Sequence, residues 1–422
     1  MTEPSAPDLR SARLAPAQYE AAFADAVPPL TRAQALVEAE RCLYCFDAPC
    51  TRACPTAIDV PSFIRRIADD NLRGAARTIL DPNPLGGTCA RACPTEVLCE
   101  QVCVRNTEQR RPVEIGRLQR YALDAAIQRP VGAGPAGLAC AFALARRGHE
   151  VVIHDARAAP GGLNEYGLAA YKMAGGFAQA EVAWLLAIGG IALRPNWRLE
   201  GAQQLAALRA DFDAVYLAVG LARTHRLGIA GEGLGGVRDA VDFIAELRQA
   251  KDLSRLPIGR RVVVIGGGMT AVDAAVQSRL LGAEEVHIAY RRGPQEMPAS
   301  PAEREWAQTR GVTIHFGLTP EEIVGSAGHV AAVRFARAGG GEQRLDADLV
   351  FKAIGQRLDE GPLQGSGLTL QGGRVLADDD GRTGVPRLFA GGDCRAGGRD
   401  LTVEAVADGQ RAAAAIHAEL TA

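Results

Sequence analysis

The chain has 422 residues, 47% of them hydrophobic, with 48 glycines and a formal net charge of −2. That length allows two or three domains with cores of their own, and the glycine content suits an α/β protein with many tight strand-to-helix turns. Acidic and basic residues are interspersed and no apolar run reaches the ~20 residues of a membrane helix, so neither a nucleic acid nor a bilayer is the expected partner.

The sequence opens MTEPSAPDLR, with no basic start and no apolar core of a secretory signal, which predicts a reducing, cytoplasmic setting. Residues 1–128 are predicted as a helical domain, with helical spacing in TRAQALVEAERCLYC and VPSFIRRIADDN. Eight of the ten cysteines fall here, as Cys42, Cys45, Cys50, Cys54 and then Cys89, Cys93, Cys99, Cys103, separated by the turn Asp81-Pro82-Asn83-Pro84. Zinc is one reading, but its sites favour paired C-x2-C knuckles with histidine, and here only Cys42 and Cys45 have that spacing and no histidine precedes His149. A close cysteine run ending in Cys54-Pro55 instead resembles bacterial ferredoxin runs, whose fourth cysteine reaches a second cluster. Two [4Fe-4S] clusters are therefore expected.

Strand–glycine–helix units take over from Val131 and predict two Rossmann-like domains. Residues 129–228 read as the first part of an FAD-binding domain. Gly132-Ala133-Gly134-Pro135-Ala136-Gly137 opens a helix, and the strand EVVIHD ends at Asp155, placed to take ribose hydroxyls. The turn at Gly162 and the strand ending at Gly220 belong to the same cradle. Residues 229–385 read as an NAD(P)H-binding domain: the apolar strand Val262 to Ile265 precedes Gly266-Gly267-Gly268, and a helix opens at Met269-Thr270. The next strand ends in Arg291 and Arg292, where a carboxylate would select NADH; two guanidinium groups suit a 2′-phosphate, with solvated surface arginines as the alternative. A strand ending at Gly355 closes this part. Residues 386–422 return to the FAD domain, with Gly392 and Asp393 at the flavin's ribityl chain and Thr402 and Val403 opening the last helix toward its carbonyl edge, so the NAD(P)H domain is an insertion. His154, His225 and Cys140 read as structural, and Cys394 lacks a C-x2-C partner for a redox disulfide.

One position breaks the pattern. A dinucleotide turn follows a central strand of five or six apolar residues, but Gly132 is preceded only by Ile127-Gln128-Arg129-Pro130-Val131. Pro130 lacks a ladder donor and Arg129 is costly to bury, which predicts a deleted linker and strand and a weakened FAD site.

Together these motifs resemble the flavin and iron–sulfur reductase family that includes the glutamate synthase small subunit and the N-terminal half of dihydropyrimidine dehydrogenase. CLYCFDAPC, ACPTAIDVPSFIRRI, NPLGGTCARACPTEVLC and GGLNEYGLAAYKM look closest to the stand-alone bacterial subunit of the latter enzyme. The resemblance implies electron transfer from NAD(P)H through FAD and the clusters to an FMN and iron–sulfur catalytic subunit resembling PreA, in a heterotetramer that interconverts uracil or thymine and 5,6-dihydropyrimidines. It also implies that Cys42, Cys45, Cys50 and Cys103 hold one cluster and Cys54, Cys93 and Cys99 the other, with either Gln119 or Cys89 as fourth ligand. Two alternatives stand beside it: a glutamate synthase-like electron donor and a flavin-defective iron–sulfur scaffold.

Overall fold

The computed structural model describes residues 14–124 and 134–422; Gly132 and the sequence just before it lie outside the described residues. The chain divides into two compact units. One is Val27–Glu165 with Gly175–Arg223 and Arg357–Ala422, and the other is Met1–Ala26 with Tyr166–Ala174 and Thr224–Gln356.

The second unit is built on a five-stranded parallel sheet ordered Val237–Asp239, Leu349–Ala353, Arg261–Gly266, Glu285–Tyr290, Val312–Phe316. Val262, Val263 and Val264 in its central strand are 0% exposed, as a parallel strand covered on both faces requires. Their side chains alternate. Val262 and Val264 pack toward Ala271, Val272 and Ala275 of the helix Met269–Leu280, while Val263 and Ile265 pack on Ile323, Val333 and Phe335 of an antiparallel three-stranded sheet.

Two stretches join this unit from elsewhere in the sequence. Tyr19, expected in the helical domain, is buried in the core with Phe243 and Val264. Tyr166–Ala174, expected in the FAD domain, is fixed by Ala170 N–H to Gln277 Oε1 (2.9 Å), Tyr171 O–H to Asp273 Oδ1 (2.9 Å) and Arg248 Nη1 to the Met173 carbonyl (2.9 Å). Lys172 Nζ pairs with both Asp273 (2.8 Å) and Glu303 (3.0 Å). Conversely, residues 357–385, expected to close the NAD(P)H domain, group with the other unit, because Leu358, Leu363, Val375 and Val385 share a core with Leu205, Leu217 and Leu388.

The first unit opens with helices. Val60–Ala68 buries Val60, Phe63, Ile64 and Ile67, the i, i+3, i+4, i+7 stripe of an amphipathic helix, and Asp59 caps it by accepting from the Ser62 N–H (3.1 Å). Further along, Gly86–Ala92 carries Cys89, and Ile115–Asp124 carries Gln119. The α/β part has two separate pairs of parallel strands: β1 (Val151–His154) with β2 (Ile191–Arg194), and β3 (Val215–Leu217) with the C-terminal strand Leu388–Ala390. Among the described residues no strand joins the two pairs. The helix Pro135–Ala145 lies along the last helix, Thr402–Thr421, so closely that a Cβ on Gly409 would be 2.3 Å from the Ala136 carbonyl oxygen. No helix among the described residues is long and apolar enough to cross a membrane.

Candidate iron–sulfur and dinucleotide sites

Cys42, Cys45, Cys50 and Cys103 line one pocket, backed by Val60, Ile64 and Ile115. Cys42 follows the helix Arg32–Glu40, Cys50 lies in the short helix Pro49–Ala53, and Cys103 caps Val104–Gln109 from the other run. Arg105 Nε ties the runs together by donating to the Arg41 carbonyl (2.8 Å). Tyr44 (φ 51°) and Ala48 (φ 34°) both take left-handed backbone within this loop, a cost of roughly 1–2 kcal/mol each. All ten cysteines are free. Burial pushes the Cys42 thiol up and the Cys50 thiol up to about 11, so an electropositive centre is needed to hold these sulfurs as thiolates. Among the described residues no three His, Cys, Asp or Glu side chains gather into a single-ion site. The four sulfurs ring a pocket instead, and that donor set fits an iron–sulfur cluster.

The second set is deeper. Burial, then the neighbouring Cys89, Cys99 and Cys54 sulfurs, raise the Cys93 thiol well above its ordinary range; burial raises Cys99 likewise. Cys54 Sγ is 3.3 Å from the Thr56 hydroxyl. Gln119 is buried with its amide nitrogen donating to the Gly86 carbonyl (2.7 Å), which leaves only its oxygen as a donor to iron. Cys89 is buried with Cys93, Leu98, Leu401 and Val403. The start of the last helix therefore packs on the cysteine helix, which links the expected flavin edge to the second set.

Three further groups here carry no sequence signal. Glu181, 0% exposed, accepts from the Thr88 N–H (2.9 Å) and the Thr88 hydroxyl, and burial pushes it up to about 7. Asn164 accepts from the Thr402 hydroxyl (2.8 Å). Asp408 accepts from the Gly392 N–H (2.9 Å) and forms a bidentate pair with Arg395 (3.1 Å for each bond), clamping the turn that carries Asp393. Burial, then Asp400, pushes Asp393 up to about 6.

In the flavin cradle, Gly134 caps the helix Pro135–Ala145, with Pro135 in its first turn and Ala136 and Gly137 after it, so unpaired N–H groups end at this glycine. Gly162 (φ 53°) packs against it: a Cβ there would be 2.9 Å from the Gly134 Cα. Asp155 follows β1, accepts from the Arg157 N–H (2.8 Å), and is raised by burial. Gly220 (φ 62°) ends the loop after β3. A glycine cradle that a Cβ would fill, a helix N-terminus and two acids at strand ends fit a flavin dinucleotide.

In the nicotinamide unit, Gly266 has φ 143° and a Cβ would lie 2.1 Å from the Ala353 carbonyl oxygen; a Cβ on Gly267 would be 2.4 Å from the Tyr290 ring. Gly268 caps the helix whose first residues are Met269 and Thr270. Arg291 and Arg292 are exposed beyond Tyr290, and among the described residues neither guanidinium has an ion-pair partner. Gly355 (φ 94°) lies just past the strand Leu349–Ala353, beside His225.

Residues 131–409 match the family described as pyridine nucleotide-disulphide oxidoreductase, and residues 19–131 match dihydropyrimidine dehydrogenase domain II, 4Fe-4S cluster. The chain is 35% identical over 409 residues to the NAD-dependent dihydropyrimidine dehydrogenase subunit PreT of Salmonella typhimurium, covering 92% of this chain and 95% of that protein. The matched stretch is longer than the share of this chain it takes in, so that relative carries residues this chain lacks. The small chain of the NADPH glutamate synthase of Escherichia coli is 33% identical over 443 residues, covering 93% of this chain and 92% of that one. Among solved structures, T. acidophilum thioredoxin reductase aligns with a TM-score of 0.55 at 23% identity, over 69% of this chain and 97% of that one, a likeness of fold. The chain is a member of the pyridine nucleotide-disulphide oxidoreductase family in which the flavin- and nucleotide-binding module follows a 4Fe-4S domain.

Proposed function

We propose that this chain is the electron-transfer subunit of a cytoplasmic, NAD(P)H-dependent dihydropyrimidine dehydrogenase, passing electrons to an FMN-containing subunit resembling PreA in a heterotetramer. The observation that carries this reading is the two cysteine sets, one of which packs on the start of the last helix through Cys89 and Val403. FAD, when bound, supplies the conversion of a two-electron hydride into single electrons. Gly134, Gly162 and Asp155 would hold its dinucleotide, and the clamp of Asp408 on Gly392 would orient Asp393 toward it. The first cysteine set lies near the surface. Leu43 (47% exposed) and Val104 (41%) line it, and the exposed Phe46 and Val102 follow Cys45 and precede Cys103 in the chain, apolar side chains suited to a docked protein acceptor.

For the nicotinamide cofactor, the unpaired Arg291 and Arg292 favour NADPH, and named relatives include one NAD-dependent and one NADPH enzyme. Replacing both arginines with Ala is expected to raise the KM for NADPH about tenfold or more while leaving that for NADH nearly unchanged, since a lost phosphate pair costs roughly 1.5–3 kcal/mol. Steady-state kinetics with both nucleotides checks this; equal effects on the two would return the arginines to the surface.

The reading is tested by purifying the chain anaerobically, alone and with the product of the neighbouring gene. Alone it should reduce artificial dyes but not uracil, and with a PreA-like partner it should couple NAD(P)H oxidation to uracil. Uracil reduction by the chain alone would overturn the subunit assignment, and coupling only to a glutaminase-containing partner would assign it to glutamate synthesis.

A further inference from the structure

We propose that Arg105 sets the reduction potential of the first cluster: its guanidinium is the one charge built into the wall of that pocket, and it makes the cluster near the surface a stronger electron acceptor. This rests on the iron–sulfur reading of Cys42, Cys45, Cys50 and Cys103. Among the described residues, the pocket is lined by those four cysteines, by leucine, valine, isoleucine and proline side chains, and by Arg105. Reduction of a [4Fe-4S] centre adds a negative charge to a site that already holds four thiolates, and apolar walls disfavour that gain. A fixed cation in such a wall acts on the equilibrium through a low dielectric, where its influence is largest.

The guanidinium is held in place by hydrogen bonds. Nε donates to the Arg41 carbonyl (2.8 Å), in the peptide that leads into Cys42, and Nη1 donates to Glu108 (3.0 Å). Neither partner cancels the charge. The carbonyl is neutral, and the Glu108 side chain is 60% exposed where that of Arg105 is 20% exposed, so solvent screens the carboxylate more than the guanidinium. Local structure gives no reason for a cation at this position. Cys103 caps the helix Val104–Gln109, and Arg105 lies in its first turn, where the helix dipole favours a carboxylate. Arg41, the other guanidinium beside this loop, does not line the pocket: it donates to the carbonyls of Pro112 (2.9 Å) and Arg111 (2.6 Å) and pairs with Glu38.

With Arg105 in this role, one electron passes from the second cluster to the first. The second is oxidised and the first reduced, and no proton is taken up, because a guanidinium stays charged throughout. NAD(P)H is the reductant, through FAD, and the docked iron–sulfur subunit is the oxidant.

Anaerobic redox titration of the chain and three variants under electron paramagnetic resonance, with iron and sulfide analysis of each, tests this. Arg105→Gln keeps an amide donor for the Arg41 carbonyl and removes the charge. It should retain the iron of the unaltered chain and lower one of the two midpoint potentials by about 59 mV, a tenfold shift for a one-electron couple, while the other stays in place. Arg105→Lys keeps the charge and should hold the reduction equilibrium within about twofold of the unaltered chain; Glu108→Gln removes the counter-charge and should raise the same equilibrium about twofold or more. These shifts should not vary with pH. A fully loaded Arg105→Gln chain with both potentials unmoved would overturn the proposal, as would an Arg105→Lys chain that shifts as far as Arg105→Gln. If Arg105→Gln loses iron, Glu108→Gln decides: a raised potential upholds the proposal and an unmoved one overturns it. An unaltered chain without iron and sulfide would overturn the iron–sulfur reading itself, and this assignment with it.

Discussion

Replacing Cys103 with Ala is expected to lower the iron of the anaerobically purified chain from about eight atoms to about four, because it removes one ligand from a four-cysteine cluster. Cys103 comes from the second run but lines the pocket of Cys42, Cys45 and Cys50. A pair of double variants decides the partition. Cys42→Ala with Cys103→Ala should cost no more iron than either change alone, since both strike one cluster. Cys93→Ala with Cys103→Ala should remove nearly all of it. The reverse pattern, with Cys103 coupled to Cys93, would mean that each run serves its own cluster.

Lys172→Met is expected to destabilise the nicotinamide unit by about 3–5 kcal/mol, a large share of the roughly 5–15 kcal/mol that holds a domain folded. Burial disfavours the ammonium, but Asp273 at 2.8 Å and Glu303 at 3.0 Å outweigh it and hold Lys172 above its ordinary range. Without Lys172 the two carboxylates face one another in a mostly buried site. Adding Asp273→Asn to Lys172→Met should recover part of the loss, because it removes the repulsion. Chemical denaturation measures both effects; a change below about 1 kcal/mol would place the triad among ordinary surface pairs.

The chemistry of this chain is legible where it is local. Ligand spacing and glycine turns are fixed by residues a few positions apart, so Cys42 to Cys54 and Gly266 to Gly268 announce themselves. The crossing of Cys103 to the first set spans more than the run and came only with the family resemblance. Lys172 and Tyr171 look like an unremarkable loop, because their partners Asp273 and Glu303 lie about a hundred residues away or more. Glu181 was silent for the same reason: its burial depends on Thr88, in a different helix. That Leu358, Leu363, Val375 and Val385 share a core with Leu205, Leu217 and Leu388 is not legible either, because strand-and-turn patterns do not reveal which core the leucines fill.

The central claim is that the cysteine sets hold redox-active iron. Metal and acid-labile sulfide analysis of the anaerobically purified chain, followed by titration with NADPH under electron paramagnetic resonance, tests it most directly. The account predicts about eight iron and a matching amount of sulfide per chain, with reduced-cluster signals appearing as NADPH is added to the flavin-loaded chain. Stoichiometric zinc without sulfide would contradict it.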